Sequence, residues 1–228
     1  MVNNQVHEKY MKNILTTIFT HQIGNFLAFK GGTLVYLLYK LDRFSTDIDL
    51  DLLDISQEQL VIEKMREILI GLGEIKNETL GKNIHRWIFR YDEKNMNIKI
   101  ELNKKIWIHN TYIAQTISDV ALSCMTSDCI FANKLVALSE RFYPRDLYDV
   151  YFFFREKFPI KEALIQERTG LTSKKFLQKL IKELPNYFTA TTVLTGLGEV
   201  LDSKQKNRVK KHLLVETIHQ INTFLLHT

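Results

Sequence analysis

The chain of 228 residues is 45% hydrophobic and 25% charged, with nine Gly and three Pro. That composition excludes long disordered linkers and fits a globular protein of one large or two small domains. Its net charge of +5 falls mostly on residues 111–228, and so mild a surplus permits a polyanionic partner without demanding one. Two cysteines, Cys124 and Cys129, with no CxxC pair, exclude a four-ligand structural zinc site and predict ordinary buried thiols in a reducing compartment. No run approaches the roughly 18 consecutive apolar residues of a membrane span. The N-terminus lacks the basic start and apolar stretch of a signal peptide. The expected location is the cytoplasm, with no membrane partner.

Residues 4–22 predict a helix, with Val6, Tyr10, Ile14, Leu15 and Ile18 near helical spacing. FLAFK (26–30) reads as a strand or its lead-in, and a helix over 33–41 follows a Gly31-Gly32 turn. Residues 47–53 alternate acid and aliphatic, the period of a strand. An amphipathic helix covers 57–69 and ends near Gly71 and Gly73. EIKNETL (74–80), NIHRWIFRY (83–91) and NIKIELNK (97–104) predict a meander of strands joined by turn-like GK and DEKN. TYIAQTI (111–117) is a further strand candidate. Beyond residue 127 the pattern is helical, with helices expected at 127–141, 145–156, 173–184 and 205–226 and Pro144 suiting a helix start. The order gives an α+β domain over 1–122 and a helical domain over 123–228.

In the acid strand Asp47, Asp49 and Asp51 share one face, and Ile48, Leu50 and Leu52 the other. Carboxylates so close are tolerated when solvated or when cations neutralise them. Hard cations such as Mg²⁺ are held by one or two carboxylates together with substrate phosphates. Glu101, on the polar face of NIKIEL, joins them if its strand lies beside the first. Asp51 and Asp54 are expected to be solvated strand-face acids. The glycines of Gly31-Gly32-Thr33 let a backbone approach a phosphate, and the helix N-terminus behind them offers free N–H groups. Thr33 is expected to cap that helix and to donate to a phosphate oxygen. Arg43 suits a phosphate or an aspartate partner.

The segment FKGGTLVYLLYKLDRFSTDIDL closely resembles the first motif of the AbiEii/AbiGii-type nucleotidyltransferases, toxins within the DNA polymerase β nucleotidyltransferase superfamily. Lys30, Gly31, Gly32, Thr33, Arg43, Ser45, Asp47 and Asp49 carry the match. A second stretch, FANKLVALSERFYPRDLYDVYFF, resembles the family's later signature through Lys134, Arg141, Arg145, Asp146 and Asp149. Lys134 and Arg141 share a helix face, Asp146 and Asp149 share a face of the next helix, and Leu147, Val150, Tyr151 and Phe154 form the opposing core stripe. The pair is expected to present two cations and two acids to one cleft.

The resemblance implies a nucleotidyltransferase-like mixed sheet with flanking helices, followed by a helical domain that contributes to the cleft. It implies that Asp47 and Asp49 hold Mg²⁺ or Mn²⁺; Glu101, from its strand face and not from the resemblance, is the candidate third ligand and aid to acceptor deprotonation. Lys30, Gly31, Gly32, Thr33, Arg43, Ser45, Arg141 and Arg145 form the expected nucleotide-binding set. Lys134 would neutralise triphosphate charge, and Asp146 or Asp149 would act beside it. The implied reaction moves a nucleoside monophosphate from an NTP to an acceptor hydroxyl, with RNA (the tRNA 3′ end) as acceptor and a cognate antitoxin as partner. KQKNRVKK (204–211), with five basic residues in eight, suits phosphate contacts. Two other readings are a small-molecule nucleotidyltransferase and a non-catalytic nucleotide- or RNA-binding module.

Overall fold

The computed structural model describes residues 4–91, 96–197 and 201–227. The chain divides into two compact units. The first runs up to Ile106 and adds Thr111–Thr126; the second joins Trp107–Asn110 to the chain from Ser127 onward. Among the described residues no helix is long and apolar enough to cross a membrane. The expected turn at 92–95 lies outside the described residues.

The first unit begins with α1 (Asn4–Thr20), β1 (Leu27–Lys30), α2 (Gly31–Tyr39), β2 (Asp47–Leu52) and α3 (Glu58–Leu72). It continues with β3 (Glu74–Leu80), β4 (Ile84–Arg90), β5 (Asn97–Asn103), β6 (Tyr112–Ile117) and β7 (Val120–Met125). The strands form one mixed sheet in the order β3-β4-β5-β2-β1-β7-β6. The meander is present as expected, and β5 pairs in parallel with β2.

Period-two alternation sorts the sheet's faces. Ile48, Leu50, Trp87, Phe89, Ile98, Ile100 and Leu102 are buried. α1 contacts β7, α3 contacts β3, and the two helices contact each other. They bury Met11, Ile14, Leu15 and Ile18 from α1 and Val61, Ile62, Met65 and Leu69 from α3. Each Å² of apolar surface this layer buries contributes roughly 25 cal/mol to stability. The stripe of α1 differs from expectation at one edge: His7 and Met11 are buried and Val6 is 39% exposed.

Two elements escape periodicity. β7 follows a turn in which Ser118 and Asp119 both have positive φ, a conformation usually supplied by Asn-Gly or Asp-Gly. A helix at Glu162–Thr169 buries only the adjacent Leu164 and Ile165, which give no helical repeat. It is α6 of the second unit, between α5 (Pro144–Arg155) and α7 (Ser173–Tyr187). α4 (Ser127–Arg141) opens that unit and α8 (Ser203–Leu226) closes it. Phe131 of α4 stacks on Phe153 of α5 with ring centroids 4.9 Å apart, and Phe131 also meets Phe154 edge-on. Pro144 occupies the first turn of α5, where its missing N–H costs nothing. On α8 the buried residues are Val209, Leu213, Thr217 and Ile221. Both cysteines are buried and neither is in a disulfide, and burial pushes the Cys124 thiol up to about 12, which makes it chemically inert at neutral pH.

Candidate active site

The local chain path gathers the first motif in the first unit. β1 runs antiparallel to β2, which sets Lys30 opposite Asp49. The chain then enters α2 directly: the glycines form its first turn, and Gly31 has φ +82°. A Cβ built on Gly31 would lie 2.0 Å from Asp49 Oδ2. The α2 N-terminus and the Asp49 carboxylate therefore belong to one small region. Gly32 is similarly confined, since a Cβ there would come within 3.0 Å of Ser45 Oγ and 3.1 Å of Arg43 Nη2.

Thr33 does not take the expected role of a cap. The N-cap of α2 is Lys30, with no side-chain capping bond. The Thr33 hydroxyl is fully buried; it donates to the Asp47 carbonyl and lies 2.9 Å from the Ser45 hydroxyl. It braces the start of β2. Arg43 is 5% exposed and donates to the Phe44 carbonyl at 3.1 Å.

His7 is a positioning residue that the sequence did not announce. Its Nε2 lies 3.1 Å from the Thr46 carbonyl and its Nδ1 2.9 Å from the Tyr91 hydroxyl. Burial, opposed by the bond to Thr46, holds its pKa below the usual histidine range, so the ring is neutral near pH 7. A neutral ring donates from Nε2 to the carbonyl and accepts at Nδ1 from Tyr91. Its only sequence signal is its place on the helix stripe.

Among the acids, Asp51 departs from the expected solvated strand face. It is completely buried, ion-paired to Lys30, and receives bonds from Tyr112 Oη (2.9 Å) and Asn103 Nδ2 (3.2 Å). Lys30 is thereby tied to Asp51. Asp54 caps a short turn by accepting from the Ser56 amide at 2.9 Å.

The parallel β2–β5 pairing sets Asp47 opposite Lys99 and Asp49 opposite Glu101. Lys99 Nζ lies 3.1 Å from Asp47 Oδ2 and 3.2 Å from Glu101 Oε2. Burial opposes the Lys99 charge, but Asp47, Glu101 and Asp49 outweigh it and raise the pKa. Glu101 is also half-buried, yet Arg86 and Lys99 hold its carboxyl below the usual range. Arg86 contacts Glu101 Oε1 at 2.6 Å. Among the described residues no three His, Cys, Asp or Glu side chains converge as a metal cluster. Glu101 is drawn to its two cations and is not gathered with Asp47 and Asp49 as a third ligand. The remaining pair of carboxylates suits Mg²⁺ or Mn²⁺ whose other ligands are phosphate oxygens and water, and does not suit an ion caged by protein alone.

In the second unit the later motif is an ion network. Lys134 Nζ lies 2.8 Å from Asp149 Oδ2 and 3.3 Å from Asp146 Oδ1. Arg141 grips Asp146 with two bonds of 2.6 and 2.9 Å, the bidentate form that favours Arg over Lys. Both aspartate side chains are only 1% exposed, so they do not line an open cleft as expected. Burial makes such a pairing obligatory. Arg145 donates to the Gly196 carbonyl at 2.7 Å.

The family described as nucleotidyl transferase AbiEii toxin, type IV TA system, matches residues 13–190. The chain belongs to this family and is a nucleotidyltransferase. Three solved structures share its fold. A putative nucleotidyltransferase from Helicobacter pylori is 19% identical, with a TM-score of 0.65, over 100% of this chain and 96% of its own. JHP933 from the same organism is 21% identical, with a TM-score of 0.63, covering 100% and 94%. The nucleotidyltransferase toxin MenT4 (Rv2826c) from Mycobacterium tuberculosis H37Rv is 18% identical, with a TM-score of 0.58, covering 99% and 84%. Comparison with curated proteins returns no match.

Proposed function

We propose that this nucleotidyltransferase moves a nucleoside monophosphate from an NTP to a hydroxyl of RNA, at the 3′ end of tRNA, as the toxin of a pair with a cognate antitoxin. The observation that carries the reading is the contact of the α2 N-terminus with Asp49 at Gly31. Backbone donors and a helix dipole favour phosphate there, and Asp47 and Asp49 offer oxygen ligands beside it. Mg²⁺ or Mn²⁺ on these two carboxylates would offset triphosphate charge and polarise the reacting phosphate.

The protein's own contributions are binding and orientation. Gly31 and Gly32 admit the triphosphate to the helix amides. Thr33, Ser45 and His7 hold the backbone that leads into Asp47. The acceptor oxygen forms a bond to the α-phosphorus, the bond to the β-phosphate oxygen breaks, pyrophosphate leaves, and the acceptor proton passes to water. Positioning and charge neutralisation carry most of such a reaction. An RNA acceptor fits the basic second half and the exposed Lys204, Arg208, Lys210 and Lys211 of α8.

The test is incubation with Mg²⁺, each α-labelled NTP and total tRNA. Label is expected in RNA, and in none with Asp47→Ala/Asp49→Ala. Retained metal-dependent NTP binding without labelled RNA would move the acceptor to a small molecule; no NTP binding would overturn the reading.

A further inference from the structure

Lys99 has no place in the motifs, yet it holds the central position among the acids. Parallel pairing fixes its Cα opposite Asp47. Its ammonium lies between Asp47 Oδ2 at 3.1 Å and Glu101 Oε2 at 3.2 Å. The other oxygen of Glu101 belongs to Arg86. Lys99 thus touches two carboxylates of different standing. Asp47 is one of two acids with oxygens to offer a cation, whereas Glu101 is already secured by a second positive group.

We propose that Lys99 is a displaceable counter-ion, closing Asp47 to divalent cations while no nucleotide is bound and moving wholly onto Glu101 when Asp47 is needed. The inference rests on the reading that Asp47 and Asp49 hold the cation of the NTP. A flexible four-carbon stem lets the ammonium release Asp47 without leaving Glu101. Glu101 then serves as a mooring, a positioning residue acting through Lys99. Without nucleotide, a divalent ion must compete with an ammonium already in place. With nucleotide, phosphate oxygens add ligands and negative charge that Lys99 does not match. The device makes the enzyme take its cation together with the NTP, and in the resting protein it offsets the charges of Asp47 and Glu101.

Mn²⁺ binding, followed by loss of the free-ion electron paramagnetic resonance signal, tests this without turnover. Lys99→Met is expected to tighten nucleotide-free Mn²⁺ binding about tenfold, removing a competitor worth one such factor in binding. Lys99→Arg, which keeps the charge, should bind as weakly as the native protein. Glu101→Gln, which removes the mooring, should weaken Mn²⁺ binding in the presence of a non-hydrolysable NTP analogue. Unchanged or weaker nucleotide-free binding in Lys99→Met overturns the proposal, as does equal tightening in Lys99→Arg. If Mn²⁺ binding with the analogue survives in Asp49→Asn, the metal reading fails and this inference fails with it. If that binding is lost in Asp49→Asn while Lys99→Met changes nothing, this inference alone fails.

Discussion

Gly31 and Asp49 are in such close approach that a Cβ on the glycine would lie 2.0 Å from the carboxylate. Gly31 also has φ +82°, a conformation that costs a residue with a side chain about 1–3 kcal/mol. Gly31→Ala is therefore expected to lower stability by about 2 kcal/mol or more and to abolish NTP binding. Denaturant unfolding and nucleotide titration check the two effects separately. Native stability in Gly31→Ala would show that the turn relaxes freely.

Asp49 and Asp51 share a strand face but not a role. Asp51 is buried among Lys30, Tyr112 and Asn103. Asp51→Ala strands the Lys30 ammonium and is expected to cost about 3 kcal/mol. Asp49 is only half-buried, and Asp49→Asn is expected to cost far less while removing metal-dependent NTP binding. Urea unfolding of both variants decides the matter; equal losses would contradict the division.

Lys134→Ala removes a shared partner from two aspartates that are 1% exposed. A loss of about 3 kcal/mol is expected, because uncompensated buried charge is left behind. Lys134→Met/Asp149→Leu should regain part of it. Lost activity in Lys134→Ala thus has to be read beside its melting curve, and a fully stable Lys134→Ala would show that the network contributes little to folding.

His7 gives the stability a pH dependence of definite sign. Burial lowers its folded-state pKa below the ordinary value of about 6.5. The neutral ring stabilises the native protein above that ordinary value. The contribution is lost as pH falls from there through the depressed native pKa, since the unfolded chain binds the proton first. His7→Gln should flatten the stability–pH slope just below about pH 6.5, and thermal melts across that interval would show it. An unchanged slope would assign the acid response to other groups.

Residue patterns revealed much of the fold. Acid–aliphatic alternation located β2, and β-branched and aromatic runs located β3 to β5. β7 stayed hidden because its turn is built on Ser118 and Asp119 without a glycine. α6 stayed hidden because its two buried residues are neighbours. In the later motif the seven-residue and three-residue spacings correctly placed Lys134 with Arg141 and Asp146 with Asp149. They did not tell that the second pair faces inward against the first.

By itself, then, the sequence determined the faces: which side chains of each strand and helix point the same way, and which pattern of glycines, cations and acids the chain carries. Only the tertiary structure decided the neighbours. Setting β5 beside β2 brought Lys99 to Asp47, setting β4 beside β5 brought Arg86 to Glu101, and setting β1 beside β2 gave Asp51 its Lys30. The physical reason is that local periodicity is fixed by backbone geometry within a few residues. Strand order and the partner of a buried charge depend on contacts between segments far apart in the chain, and no short window contains both members of such a pair.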